Sequence, residues 1–429
     1  MASGVWRHVL RRRAIVPLFI AAAAVLLAVW GASRLGLGKT AGLDRPGVPA
    51  STASPSLSST GVVEAIRFVS PDAGWVVVGS MHADQTVSRR LLHTSDGGRH
   101  WSSQLAWSAQ PRATVPGNEV RLLFVDETHG LVLNRAGSDG KPVLYRTTSG
   151  GSSWQALALP GIPAPGSPVS FIDAQHGWLL ADVNAAMSQS TATIFRTNDG
   201  GSTWLQVAHV DLNSASPGLT MNGDKDSLAF SDADTGWLVA DSAGGNAILW
   251  VTHDGGLTWK QGTLPAPAGV YVSGNAAPGG PQFFGPGQGV LPMEITLVPQ
   301  PSGGPQTVPA EGYPLVLFAY LSDDGGRSWS EIRLPATGSF RQPLTWQFLN
   351  RQDWWIASGG DIFVTHDGGR SWARHSLSLG QRSVLVLDFI TAQSGWIIAG
   401  TWSAGDGQAE ESALAQTVDE GEHWEMRTP

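Results

Sequence analysis

The side chains best suited to chemistry recur as a short box, Ser/Thr-x-Asp-x-Gly-x-x-Trp. It supplies the carboxylates Asp96, Asp199, Asp254, Asp324, Asp367 and Asp419, with Ser149 at the same place in a seventh copy, TTSGGSSW. A set of carboxylates can bind a metal or move protons only where the chain brings them together. These are spread through equivalent units and need not converge, and each has a local use. The Asp accepts backbone N–H bonds within a turn, Gly supplies a positive φ, and the Trp buries its ring. His129 and His176 share one place in adjacent units and read as turn residues before they read as a metal pair. With no cysteine there is no disulfide, thiolate zinc site, Fe–S cluster or cysteine nucleophile. No Ser-His-Asp order, phosphate loop or HExxH motif is present. The expectation is no catalytic residue, no metal and no cofactor.

The box tryptophans, Trp101, Trp154, Trp204, Trp259, Trp329, Trp372 and Trp424, are 53, 50, 55, 70, 43 and 52 residues apart. Before each box stands Phe, five residues, Gly and usually Trp: Phe68…Gly74-Trp75, Phe124…Gly130-Leu131, Phe171…Gly177-Trp178, Phe230…Gly236-Trp237 and Phe389…Gly395-Trp396. Phe283…Gly289-Val290 lacks the Trp, and Phe348…Trp354-Trp355 lacks the Gly. The two motifs alternate strictly, so seven equivalent units fill residues 62–429. Short apolar runs bounded by Gly, Asp and Ser give four strands per unit, as in VVEAIRFV, GWVVVG, SRRLLHT and HWSSQL. Four-stranded units of this length are propeller blades. The predicted fold is all-β, a seven-bladed β-propeller of four-stranded blades. The first unit opens on its first strand and the last ends in its fourth, so no strand is expected to be exchanged between the ends.

Composition agrees. The 429 residues include 53 Gly, 27 Pro and 19 Trp, with 14% charged residues, which argues against helical bundles, and 42% hydrophobic content argues against disorder. Twelve tryptophans belong to the repeats and two to the N-terminal region. Trp107, Trp250, Trp346, Trp354 and Trp402 remain, as packing residues or as a platform for sugar. The net charge of −8 divides into +6 on residues 1–61 and −14 on the rest. An acidic body repels phosphate backbones, so no nucleic-acid partner is expected.

Arg7, Arg11, Arg12 and Arg13 precede an uncharged run over 14–32, AIVPLFIAAAAVLLAVWGA. Nineteen residues span roughly 28 Å as a helix, close to the hydrocarbon core. The basic flank is expected to stay cytoplasmic and the propeller to lie outside the cytoplasm. A cleaved signal peptide is the alternative, and would leave a secreted protein. The chain is therefore divided into 1–33, basic tail and one transmembrane helix (or signal); 34–61, a flexible Pro/Ser/Thr-rich linker; and 62–429, the propeller.

The boxes resemble the Asp-box, or bacterial neuraminidase repeat. The fuller unit, seen in Phe171-Ile-Asp173…Gly177-Trp178 with TNDGGSTW (197–204), is similar to the photosystem II stability/assembly factor family of seven-bladed propellers. The resemblance implies a non-enzymatic assembly factor that docks onto membrane-protein intermediates, and with the N-terminal apolar run it leads to the expectation of a membrane-tethered scaffold for other membrane or envelope proteins. The alternative is a carbohydrate-binding or glycoside-cleaving, sialidase-like propeller. That family carries an arginine triad, a Tyr/Glu pair and an Arg-containing motif before its first box. Here Phe340-Arg341-Gln342-Pro343 lies after the fifth box, and Tyr145, Tyr271, Tyr313 and Tyr320 are the only tyrosines.

Strands of a blade alternate in direction, so the Phe-x5-Gly turns and the boxes share one face. The opposite face receives the irregular loops: Leu105–Glu119, Asp211–Asp226, Pro265–Pro281, Trp402–Glu411 and Pro299–Gly312. The last is rich in Pro and Gly, and its residues Pro299, Pro301, Pro305, Pro309 and Glu311 are the candidate partner-binding loop.

Overall fold

The computed structural model describes residues 61–429 apart from 83–85, 110–119, 136–140, 165–167, 187–188, 242–246, 266, 268–275, 286, 298–312, 340–343 and 403–408. The expected transmembrane segment, the expected linker up to 60, the loop carrying Pro299, Pro301, Pro305, Pro309 and Glu311, and Phe340–Pro343 lie outside the described residues. No helix among the described residues is long and apolar enough to cross a membrane.

The described residues form seven antiparallel blades in chain order. Blade 1 is Val62–Phe68, Gly74–Met81, Val87–Thr94 and Ser102–Ala109; blade 2 is Val120–Phe124, Gly130–Asn134, Val143–Thr147 and Gln155–Ala158. Blade 3 is Val169–Phe171, Gly177–Ala181, Ala192–Thr197 and Leu205–Val210; blade 4 is Asp224–Phe230, Thr235–Asp241, Ala247–His253 and Lys260–Thr263. In blade 5 the first strand is split into Ala276–Pro278 and Gln282–Phe283, both paired to Gly289–Thr296, followed by Leu315–Ser322 and Ser330–Gly338. Blade 6 is Leu344–Phe348, Trp354–Ser358, Asp361–Thr365 and Ala373–Ser376; blade 7 is Ser383–Phe389, Gly395–Trp402, Ala409–Thr417 and Glu425–Arg427. Among the described residues no strand is exchanged between the ends.

Burial follows strand position. Second strands such as Gly177–Ala181 are buried throughout, because a neighbouring blade covers each face, whereas the fourth strand Gln155–Ala158 is mostly exposed at the rim. The cores lie between blades. Seven hydrophobic clusters each join one blade to the next, and the cluster of Phe68, Val76 and Leu92 with Trp396, Ile398 and Leu414 closes blade 7 onto blade 1.

The motif residues explain these interfaces. The second-strand Trp of one blade stacks on the Phe of the next: Trp75 on Phe124, Trp178 on Phe230, Trp237 on Phe283, Trp355 on Phe389 and Trp396 on Phe68, with centroids 3.6 to 4.1 Å apart. The Phe ring also lies flat over its own motif Gly, where a Cβ on Gly74 would stand 2.3 Å from Phe68. Blade 6 has Trp354 in place of that Gly, and Phe348 meets it edge-on at 5.1 Å and 85°. The box Trp completes the set edge-on to its own blade's Phe, as Trp101 does to Phe68 at 6.3 Å. Trp107 and Trp250 are core residues, and Trp346 packs against the blade 5–6 core.

Four expected loops contain strand, one of them Pro265–Pro281 through Ala276–Pro278. Leu105–Ala109, Asp224–Asp226 and Ala409–Glu411 are strand. Inward side chains draw the first two into sheets: Trp107 enters the blade 1–2 core and Lys225 is buried at blade 4. A small hairpin, Ala185–Ala186 with Gln189–Ser190, interrupts blade 3 where no strand is expected.

Candidate functional site

Each box is a self-contained cap. In the first, Thr94 Oγ1 donates to Asp96 Oδ1 (2.9 Å) and accepts from Gly98 N (2.9 Å), while Asp96 Oδ1 accepts from His100 N (2.9 Å). The same pattern surrounds Asp199, Asp254, Asp324, Asp367 and Asp419. Ser149 Oγ takes the Asp role by accepting from Ser153 N at 3.1 Å. Trp101, Trp259, Trp329, Trp372 and Trp424 donate their indole N–H to the box glycine carbonyl. Both box glycines have positive φ, for example 69° and 79° at Gly97 and Gly98. Glu420 takes this left-handed conformation in box 7, at φ 68°. The backbone and side chain of the fourth residue beyond the Asp hold Asp96, Asp199, Asp324, Asp367 and Asp419 well below the usual carboxylate range.

The first turns are capped likewise. Asp126, Asp173, Asp232 and Asn350 each accept two N–H bonds from their own turn. His129 and His176 point into these turns, with Nδ1 at 2.9 and 2.8 Å from Asp126 and Asp173, so each is a turn residue bound to its own acid. In all seven blades one box N–H bonds a carbonyl of the first turn, from Gly97 N to Asp72 O (2.9 Å) through Glu420 N to Gln393 O (2.9 Å). Turns and boxes are thereby locked onto one face. Among those turns (69–73, 125–129, 172–176, 231–235, 284–288, 349–353, 390–394) and the boxes there are 16 acids and 4 arginines. Residues 62–429 hold 34 acids and 20 bases in all, so this face carries most of the net negative charge.

The blades differ in what fills the gaps on that face. Between blades 6 and 7, His366 bridges Asp353 (2.6 Å) and Glu420 (3.3 Å). Burial opposes its charged form, but the two carboxylates prevail and raise its pKa. Between blades 2 and 3, where Leu131 stands in place of Trp, Arg146 reaches across to the Asp199 carbonyl and to Ser202 Oγ (2.8 Å), leaving a cavity of about 10 Å³. Between blades 4 and 5 lies a groove of about 650 Å³ lined by Asp232, Trp237, His253, Phe283, Asp324 and Arg327 among others. No single motif announces this groove. The signal is the turn FGPGQG (284–289), which brings no acid.

On the opposite face, Lys225 is buried against Trp250 (5.3 Å) and donates to Ser190 O (3.2 Å), tying the blade 3 hairpin to blade 4. Desolvation lowers its pKa to about 8. Tyr320, buried in the blade 4–5 core, donates to Pro265 O (2.9 Å). Among the described residues, Asp419, Glu422 and His423 come within metal-ligand distance of one another on the surface of box 7.

Residues 53–216 match the family model described as photosynthesis system II assembly factor YCF48. The chain is an Asp-box propeller that resembles the photosystem II assembly factors. Among solved structures, YCF48 bound to D1 peptide is 18% identical, with 88% of this chain and 99% of that one covered and a TM-score of 0.47. The BP39L lectin from Burkholderia pseudomallei is 14% identical, covering 86% and 99%, with a TM-score of 0.48. A prolyl endopeptidase is 10% identical, covering 86% of this chain and 50% of that one, with a TM-score of 0.50. At these identities the likeness is one of fold. No curated protein matches the chain.

Proposed function

We propose that this protein is a non-enzymatic, membrane-tethered, extracytoplasmic propeller that acts as a protein-interaction scaffold in the manner of the photosystem II assembly factors. The match of residues 53–216 to that family model supports the reading most directly. The residues that repeat are engaged in the ring: the boxes cap turns, and the Phe and Trp residues join blades. Function is then carried by what differs between blades, set on a rigid frame. The uncharged run over 14–32 with its basic flank supplies the tether, and Pro299–Gly312 is a second candidate contact. Crosslinking in intact membranes followed by mass spectrometry tests the reading. It expects a defined membrane or envelope protein attached to the propeller. Saccharide binding on a glycan array, or turnover of fluorogenic glycosides without any crosslinked protein, would replace it with the carbohydrate-active alternative.

A further inference from the structure

We propose that the groove between blades 4 and 5 on the box face receives a basic side chain from an extended segment of a partner protein. This rests on the scaffold reading and names the site and chemistry of its contact.

The groove lies where two residues are exchanged relative to the blade 6–7 gap. There His366 spans Asp353 and Glu420. In blades 4 and 5 the corresponding residues are His253, Thr235 and Gly325, so the histidine has neither carboxylate to meet. The side chain of His253 makes no hydrogen bond among the described residues and is exposed. The blade 5 side of the opening is also bare: a Cβ on Gly285 would meet nothing within 4 Å, and one on Gly325 only the Gly287 Cα at 4.0 Å.

The wall of this opening includes one of the second-strand tryptophans whose indole N–H stays unpartnered, as at Trp355 and Trp396. Trp237 is 1% exposed, lines the groove, and its Nε1 has no hydrogen-bond partner among the described residues. The corresponding Trp178 donates to Gly255 O at 3.0 Å. The charge selects the occupant. Asp232 and Asp324 face Arg327 across the lining, on a face of 16 acids and 4 arginines. A cation is drawn to that field. Nucleic acid and anionic lipid are repelled by it.

The test uses the full-length protein in detergent micelles and a fluorescein-labelled octapeptide of alternating Arg and Gly, read by anisotropy against the Glu/Gly counterpart. Asp232→Asn removes the charge but keeps the cap, since Asn350 caps the same turn in blade 6. Ser231→Lys places an ammonium at the mouth, and Asp173→Asn removes an equivalent charge from blade 3. The Arg peptide is expected to bind and the Glu peptide not to bind. Asp232→Asn and Ser231→Lys should each weaken binding about fivefold or more, and Asp173→Asn less than about twofold. Equal losses at 232 and 173, or no binding of the Arg peptide, overturn the proposal. Crosslinking in membranes separates the two levels. A partner still captured by Asp232→Asn removes the groove and leaves the scaffold, whereas no partner captured by wild type removes both.

Discussion

The closure of blade 7 on blade 1 and the joint between blades 2 and 3 are built from the same repeat, yet differ in almost every contact. At closure, Trp396 stacks on Phe68 at 3.6 Å and 8°. Asp388 Oδ2 accepts from Phe68 N at 2.5 Å, and Ser412 Oγ accepts from Val63 N at 2.6 Å. At the blade 2–3 joint Leu131 replaces the Trp, Leu123 stands where Asp388 supplies its carboxylate, and the buried core is Leu131, Leu133, Leu144 and Leu157. Arg146 alone reaches across to box 3. A joint inside the chain has a covalent connection between its two blades, so its packing can be thin. Among the described residues closure has no such connection and no exchanged strand, and it is held by side chains.

The largest effect expected from this contrast is at Trp396. Trp396→Ala should cost about 3–5 kcal/mol in urea unfolding, against about 2 kcal/mol for Leu131→Ala. Equal losses would mean that closure is no more dependent on its stack than an internal joint. Next comes the pH dependence of closure. Burial pushes the Asp388 carboxyl up to about 6, against the pull of Arg67 and the Phe68 amide. A pKa raised on folding contributes stability that is complete below the unfolded value near 4 and lost as pH rises through 6. Stability should therefore fall by on the order of 2–3 kcal/mol between about pH 4 and pH 7 from this group, and Asp388→Asn should remove that slope.

Glycine substitutions sharpen the comparison further. Gly74→Ala drives a Cβ into Phe68, which Trp396 holds from behind, and should cost about 2 kcal/mol. Gly177→Ala meets Phe171, which has no Trp behind it and can turn as Phe348 does, so about 1 kcal/mol or less is expected by thermal unfolding. The smallest change is a gain. Leu131→Trp restores a stack on Phe171 and should stabilise by about 1 kcal/mol, visible as a raised Tm.

The order of the blades was legible because both motifs recur within a single unit. Phe68 and Gly74 are six residues apart, and so are the equivalents in other units, so the turn that joins them is local. The stack of Phe68 on Trp396 was not legible, since its partners are separated by most of the chain and each alone reads as an ordinary core aromatic. Blade 3's hairpin carries no strand signal in VNAAMSQST and is held by Lys225 from the next blade. The blade 4–5 groove is harder still. It arises where Thr235, Gly325 and FGPGQG omit side chains that other blades supply, and an omission has meaning only once the neighbours are known.

The central claim, that the Phe–Trp stack is the unit joining blades, is tested most directly by two double-mutant cycles in urea: Trp396→Ala with Phe68→Ala, and Leu131→Ala with Phe171→Ala. A coupling of about 1 kcal/mol at closure and less than half of that between blades 2 and 3 is the expected result. Equal couplings at the two joints would contradict it.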